Sequence, residues 1–234
     1  MAISKPHLVL IPGLLCTDRL FAPQIAALGA SANISVADHT GFASLPEIAR
    51  AILSNAPERF ALAGLSMGGY IAFEILRQAP ERVTRLALLD TNARADRPEQ
   101  ADQRRKLIAL AERDGIGKVA KLLLPYWVHK DRLADPALVG ILRGMAEAVG
   151  VAAFKRQQEA IIGRPDNRPF LAQIRCPTVI VVGAEDAVTP VKVAEEMHAG
   201  IVGSRLEVVA DCGHLSTLER PEAVNAALAR WLVS

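Results

Sequence analysis

One serine lies between two glycines in the stretch Gly64-Leu65-Ser66-Met67-Gly68, where an apolar run gives way to a helical pattern. A serine on a tight turn between a strand and a helix can act as a nucleophile, because its hydroxyl group stands clear of the backbone. The glycines relieve crowding in this strained turn, and the helix directs its first N–H groups to the same point. This short pattern also occurs by chance, so the strand before it and the helix after it carry most of the prediction.

His214 is the histidine that we predict to activate this serine, because a serine hydroxyl is a weak nucleophile without a base. It follows the last predicted strand, directly after a glycine, at the same end of the sheet as the serine. The other histidines fit this role less well: His7 opens a strand, His198 falls late in a helix, His129 lies in a helical region, and His39 could border the pocket.

Asp186 is the carboxylate that we predict to orient this histidine. It lies just beyond a strand and between Ser66 and His214 in the chain, and a Ser, Asp, His order is typical of the motif. Its carboxylate would accept the imidazole N–H and stabilise the imidazolium. Two other carboxylates remain open as alternatives, namely Glu185 beside it and Asp90 at the end of another strand.

The tetrahedral intermediate of such a reaction needs N–H donors for its oxyanion. The backbone N–H of Met67, next to the serine, is one candidate. The loop Pro12-Gly13-Leu14 follows the first strand, and Gly13 lets it bend, so the N–H of Leu14 is the second candidate. Both roles belong to the backbone rather than to the side chains.

The elements that must position these groups are six short apolar runs separated by amphipathic helical patterns. The predicted strands are His7–Ile11, Ile34–Asp38, Arg59–Gly64, Arg85–Asp90, Thr178–Gly183 and Arg205–Ala210. Nearly continuous apolar runs are typical of parallel strands that are buried on both faces. Their alternation with helices predicts an α/β fold with a mostly parallel, doubly wound sheet of about six strands.

The segment 93–169 interrupts this alternation, because it contains helical patterns and no convincing strand. Gly115, Pro125, Pro136 and Gly150 punctuate these patterns. The segment is too long for a surface loop. We therefore predict one core domain, formed by 1–92 and 170–234, with a helical insertion at 93–169.

Composition excludes several other functions. Net charge is +2 with 22% charged residues, which favours neither nucleic acid nor a membrane surface as a partner. The run Arg104-Arg105-Lys106 is interpreted as a solvated helix face. Three cysteines without regular spacing argue against a disulfide framework and a zinc site, and predict a cytoplasmic location. No signal peptide or membrane-spanning segment is predicted.

Four blocks in order resemble the α/β-hydrolase fold superfamily: LIPGLLC, GLSMGGYIAFEIL, PTVIVVGAEDAVTP and CGHLSTLERPE. The likeness is to small bacterial serine esterases, such as the pimeloyl-ACP methyl ester esterase, 3-oxoadipate enol-lactonase and haloperoxidase-like groups. It implies cleavage of a small-molecule carboxylic ester, thioester or lactone through an acyl-enzyme, without a metal or organic cofactor. Two alternatives are C–C bond hydrolysis or lyase chemistry on the same triad, and a non-catalytic binding scaffold.

In that superfamily a helical insertion at this position forms a cap over the active site, and the resemblance implies the same for 93–169. The cap would then select the substrate. Four apolar side chains are candidates for its lining, although each would equally suit the core of the cap: Tyr126, Trp127, Met145 and Phe154. Arg164 lies where the insertion returns to the sheet and could bind a carboxylate, a surface position being the alternative.

Overall fold

The computed structural model describes residues 5–233 and contains a sheet of six parallel strands. The strands are β1 (His7–Ile11), β2 (Asn33–Val36), β3 (Phe60–Leu65), β4 (Val83–Leu89), β5 (Thr178–Gly183) and β6 (Arg205–Val209). Their order in the sheet is β2-β1-β3-β4-β5-β6, and every neighbouring pair is parallel. The predicted doubly wound α/β fold is therefore confirmed.

Helices cover both faces of this sheet. They are α1 (Ala22–Leu28), α2 (Leu45–Asn55), α3 (Met67–Gln78), α4 (Pro98–Asp114), α5 (Ile116–Trp127), α6 (Pro136–Ile162), α7 (Val191–Gly200), α8 (Ser216–Glu219) and α9 (Pro221–Val233). Alternate residues of β1 enter different clusters, Leu8 and Leu10 on one face and Val9 and Ile11 on the other. This two-sided burial explains why the strands read as continuous apolar runs.

The carboxyl ends of the central strands lie together at one edge of the sheet. Leu65 at the end of β3 is paired with Leu89 at the end of β4, and the N–H of Asp90 donates to Val181 of β5 at 2.8 Å. The residues that directly follow these strands are consequently neighbours. This edge brings Ser66 close to the loops that follow β4 and β5.

Helices α4, α5 and α6 lie between β4 and β5 in the chain and pack on one another. Gly115 separates α4 from α5 with a φ of 83°, and Gly150 bends α6 with a φ of 70°. Pro125 does not end α5, which continues to Trp127. A proline this close to the end of a helix removes only one of its last hydrogen bonds, so the helix tolerates it.

Helix α6 is long and apolar enough to cross a membrane, by length and composition only. Its apolar residues have partners within the protein, however. Leu142, Met145 and Ala146 are buried in a hydrophobic cluster together with residues of α4 and α5. Packing within the protein therefore accounts for these three apolar residues of α6.

Candidate active site

Ser66 occupies a strained turn between β3 and α3, with a φ of 54° and a ψ of −113°. A non-glycine residue with positive φ is held there only by its surroundings. The flanking glycines allow this turn because the backbone crowds on itself. A Cβ atom on Gly64 would lie 2.7 Å from the nitrogen of Gly69, and one on Gly68 would meet the backbone oxygens of Ile11 and Pro12.

Replacing Gly68 with alanine is expected to lower the free energy of unfolding by about 2–4 kcal/mol, because backbone atoms cannot move aside as a flexible side chain can. Urea unfolding of the two proteins would measure this loss. Gly140→Ala in α6 is the matched control, since its added Cβ meets nothing within 4 Å. We expect it to stabilise the helix slightly. Equal effects of the two substitutions would contradict the crowding argument.

His214 joins Ser66 to Asp186 in one hydrogen-bonded chain. Its Nε2 lies 2.8 Å from the Ser66 Oγ, and its Nδ1 lies 2.8 Å from the Asp186 Oδ2. The Thr189 hydroxyl donates to the same Oδ2 at 2.6 Å, and the N–H groups of Val188 and Thr189 donate to Oδ1. These donors hold the Asp186 carboxylate in one orientation towards the imidazole.

The interactions among these hydrogen-bonded side chains favour an ionised Asp186 and a basic His214. Burial alone would raise the pKa of Asp186, but the interaction with His214 and the hydrogen bonds from His214 and Thr189 lower it. Burial alone would lower the pKa of His214, but nearby carboxylates, Asp186 first and then Asp90 and Glu219, together outweigh burial and raise that pKa.

The two alternative carboxylates have other partners. The Asp90 Oδ1 accepts the N–H of Gly183 at 2.9 Å, and its Oδ2 accepts the hydroxyl of Ser216 at 2.5 Å. Burial, and then the charge of Asp186, raise the pKa of Asp90 to about 8. Glu185 accepts the N–H of Cys212 at 2.9 Å. Within residues 5–233, the imidazole of His214 is therefore hydrogen-bonded to Asp186 and to neither alternative.

The loop that carries Leu14 is held by buried side chains. The His39 Nε2 lies 3.0 Å from the carbonyl oxygen of Gly13, and the N–H of Leu15 donates to the Gln157 Oε1 at 3.2 Å. In the part of the chain that the structure describes, the N–H groups of Leu14 and Met67 donate to no protein acceptor.

A small cavity opens at Ser66. Its lining residues come from the sheet edge and from the helices α3 to α6: Gly13, Leu14, Cys16, Leu65, Ser66, Tyr70, Arg104, Trp127, Ile161, Val188, His214 and Leu215. Of the substrate-binding candidates from the sequence, Trp127 is in this set. The Trp127 carbonyl also accepts the N–H groups of His214 and Leu215, at 3.0 and 3.1 Å.

The other four candidates lie elsewhere. Tyr126 is 55% exposed and outside the cavity, because neighbouring residues of a helix point in directions about 100° apart. Met145 and Phe154 are buried in the hydrophobic cluster. Arg164 is not on the surface: it pairs with Asp96 at 2.8 Å and stacks on the ring of Tyr70, which does line the cavity.

Sequence reasoning missed several lining residues. Tyr70 lies one helical turn beyond Ser66 in α3, so helical spacing could have identified it. Arg104 was not identified as a lining residue, because the charged run that contains it was interpreted as a solvated helix face. That interpretation is wrong for Arg104, whose side chain is 20% exposed and paired with Asp96, whereas the side chain of Arg105 is 61% exposed. The two arginines project from different sides of α4.

The cysteines near Ser66 are not activated. Burial raises the pKa of Cys16 to about 12, and burial also raises the pKa of Cys212 above its ordinary value. Both thiols are therefore protonated near neutral pH and are poor nucleophiles. Among residues 5–233, no group of three or more His, Cys, Asp or Glu side chains is placed to hold a metal ion.

Comparison with known proteins identifies relatives along most of the chain. A pimeloyl-[acyl-carrier protein] methyl ester esterase from Neisseria meningitidis is 28% identical over 239 residues, which cover 96% of this chain and 92% of the relative. 3-Oxoadipate enol-lactonase 2 from Acinetobacter baylyi is 28% identical over 166 residues, or 70% of this chain and 60% of that enzyme.

Solved structures include an enzyme with the same fold. A thermophilic esterase from Thermogutta terrifontis superposes with a TM-score of 0.90 at 27% identity, over 98% of this chain and 90% of the esterase. The model of the Alpha/beta hydrolase family matches residues 8–227. The chain therefore belongs to the alpha/beta hydrolase family.

Proposed function

We propose that this protein is a serine hydrolase that cleaves a carboxylic ester, thioester or lactone through an acyl-enzyme. The observation that carries the proposal is the hydrogen-bonded chain from Asp186 through His214 to Ser66, with 2.8 Å on each side of the imidazole. The esterase and enol-lactonase names of the relatives favour an ester bond as the target.

In the first half of the reaction, the Ser66 Oγ forms a bond to the carbonyl carbon while its proton passes to the Nε2 of His214. Asp186 holds the other ring nitrogen and stabilises the imidazolium. The tetrahedral intermediate then collapses, the bond to the leaving group breaks, and His214 returns the proton to that group. Water, deprotonated by His214, releases the acid from Ser66 in the second half.

The negative oxygen of each intermediate would be bound by the N–H groups of Leu14 and Met67. Support comes from their lack of protein acceptors within residues 5–233 and from their positions: Leu14 lines the cavity at Ser66, and Met67 directly follows Ser66 as the first residue of α3. His39 and Gln157 would keep the first loop in place, which preorganises the donors before the substrate binds.

The helical segment 93–169 would act as a cap that shapes the acyl pocket. Arg104 of α4, Trp127 of α5 and Ile161 of α6 support this role, because they line the cavity together with Ser66. Trp127 is the lining residue that sequence reasoning also proposed. A direct contact of Tyr126, Met145, Phe154 or Arg164 with the substrate stays a prediction. So does the cytoplasmic location, which the three free cysteines favour.

The proposal is tested by initial rates on p-nitrophenyl esters from acetate to dodecanoate, followed by reaction with a fluorophosphonate. We expect turnover that declines beyond a limiting chain length, and one inhibitor per protein, located by peptide mass on Ser66. Iodoacetamide serves as the control reagent, because the thiols beside the site are protonated and should leave activity intact. Full inactivation by iodoacetamide without any effect of the fluorophosphonate would refute the serine assignment.

The value of kcat/KM is expected to rise with pH and to level off with a midpoint above 6.5, the ordinary pKa of histidine. His214 must be neutral to accept the serine proton, and the Asp186 carboxylate raises the pKa of His214. Activity is therefore lost as pH falls through this raised pKa. A pH profile on one p-nitrophenyl ester, corrected for its spontaneous hydrolysis, measures the midpoint. A midpoint below 6.5 would mean that burial of the imidazole outweighs the carboxylate.

A further inference from the structure

The cavity at Ser66 contains a positively charged side chain that the proposed reaction does not use. Arg104, from α4, is the one arginine or lysine among the lining residues that the structure describes. Most other members of this lining are apolar or small. A guanidinium in such a place is costly to desolvate unless an anion pairs with it.

Its pairing within the protein is incomplete. The Arg104 Nε lies 2.5 Å from the Asp96 Oδ2, and the Arg164 Nη1 lies 2.8 Å from the Oδ1 of the same carboxylate. The side chains of Asp96 and Arg164 are only 2% and 3% exposed. Two guanidiniums thus share one buried carboxylate, which leaves one positive charge in excess.

The remaining recorded partners of these arginines are neutral. Arg164 donates to the backbone oxygens of Arg94 and Ile161, and the Arg104 Nη1 donates to the Gln158 Oε1 at 2.9 Å. No second carboxylate within residues 5–233 forms an ion pair with either guanidinium. The excess charge therefore has no ion-pair partner in the described part of the protein.

Hydrogen-bond donors are also left over beside Arg104. The Nε2 of Gln158 is fully buried and has no acceptor among residues 5–233. Arg104 carries five N–H groups, and its recorded bonds to Asp96 and Gln158 engage three of them. A planar anion with two oxygens suits the remaining guanidinium edge.

We propose that the substrate carries a second, ionised carboxylate besides the bond that is cleaved, and that Arg104 binds it. The substrate class is then a half-ester, or a lactone with a free carboxylate, rather than a neutral alkyl ester. This inference rests on the proposed hydrolase function. Binding of the carboxylate at Arg104 would hold the acyl chain while its carbonyl group lies at Ser66.

The test compares two esters of the same shape and different charge, mono-p-nitrophenyl glutarate and p-nitrophenyl 5-methylhexanoate. The isopropyl end of the second matches the carboxylate of the first in size. We expect the wild-type enzyme to prefer the glutarate ester, and Arg104→Met to reduce the ratio of the two kcat/KM values by about 30-fold, chiefly through KM.

Arg105→Met is the matched control, because Arg105 is the next residue of α4, carries the same charge and, among residues 5–233, forms its ion pair with exposed Asp102. It should leave the ratio unchanged. Arg104→Met keeps a balanced Arg164–Asp96 pair, which favours folding of the variant. Arg104→Lys provides a second variant, and we expect it to recover part of the preference.

A binding measurement separates this inference from the proposed function. Glutarate should raise the melting temperature of the wild-type protein and of Arg105→Met, and have a much smaller effect on Arg104→Met. Turnover of both esters with the same ratio in wild type and Arg104→Met would overturn the inference and leave the hydrolase function standing. Stabilisation by glutarate that depends on Arg104, without turnover of either ester, would support the carboxylate site and count against the hydrolase function.

Discussion

Ser66→Ala is expected to reduce kcat/KM for p-nitrophenyl esters by about 10⁴- to 10⁶-fold, because the residual protein can no longer form an acyl-enzyme. His214 would still lie beside the carbonyl group, and the N–H groups of Leu14 and Met67 would still be available to its oxygen. These groups account for the small activity that we expect to remain. Stopped assays with purified variant, over hours, would measure it.

The same substitution should leave the fold intact. The side chain of Ser66 makes its recorded hydrogen bond to His214, whereas its backbone N–H donates to Leu89 and its carbonyl accepts the hydroxyl of Thr91. Alanine keeps both backbone bonds. An unchanged melting temperature would therefore accompany the loss of activity. A folded Ser66→Ala protein with more than a tenth of wild-type turnover would show that another group is the nucleophile.

The elements around Ser66 could be predicted because their signals are local. The apolar runs that became β1, β3 and β5 needed only two-sided burial to be identified, and glycine at 64 and 68 indicated the crowding that the structure shows. The position of Ser66 at one end of the sheet also indicated that the histidine and the carboxylate should follow other strands at the same end. Local patterns of this kind predict both the strands of the sheet and the positions of the loops that follow them.

The hydrogen bonds that hold the site in place could not be predicted, because they join parts of the chain that are distant in sequence. Leu15 and Gln157 are hydrogen-bonded across 142 positions of sequence, and His39 reaches Gly13 from the end of another strand. In the sequence, Arg104 cannot be told apart from its exposed neighbours Arg105 and Lys106, because all three are basic residues in one run. Only the packing of α4 against the rest of the helical segment turns Arg104 towards Asp96 and the cavity.

Asp186→Asn is expected to lower kcat/KM by about 10³- to 10⁴-fold, the second large effect, while Asp90→Asn should lower it less than about tenfold. An amide at 186 removes the charge that raises the pKa of His214 and presents an N–H to the ring nitrogen, which favours the wrong tautomer. The pH profile of this variant should therefore also shift its midpoint to lower pH.

Asp90 is the matched control for this change, because it is also a buried carboxyl group just beyond the carboxyl end of a strand, and burial raises its pKa to about 8. A raised pKa favours the protonated form of this carboxyl group, which an amide resembles. Asp90→Asn disturbs the contacts with Gly183 and Ser216, so we expect a lower melting temperature. Asp90 raises the pKa of His214 less than Asp186 does, so the pH midpoint should fall by less than in Asp186→Asn. If Asp90→Asn instead removed activity and Asp186→Asn retained it, the carboxylate that serves His214 would be Asp90, and the hydrogen bond to Asp186 would be a structural contact.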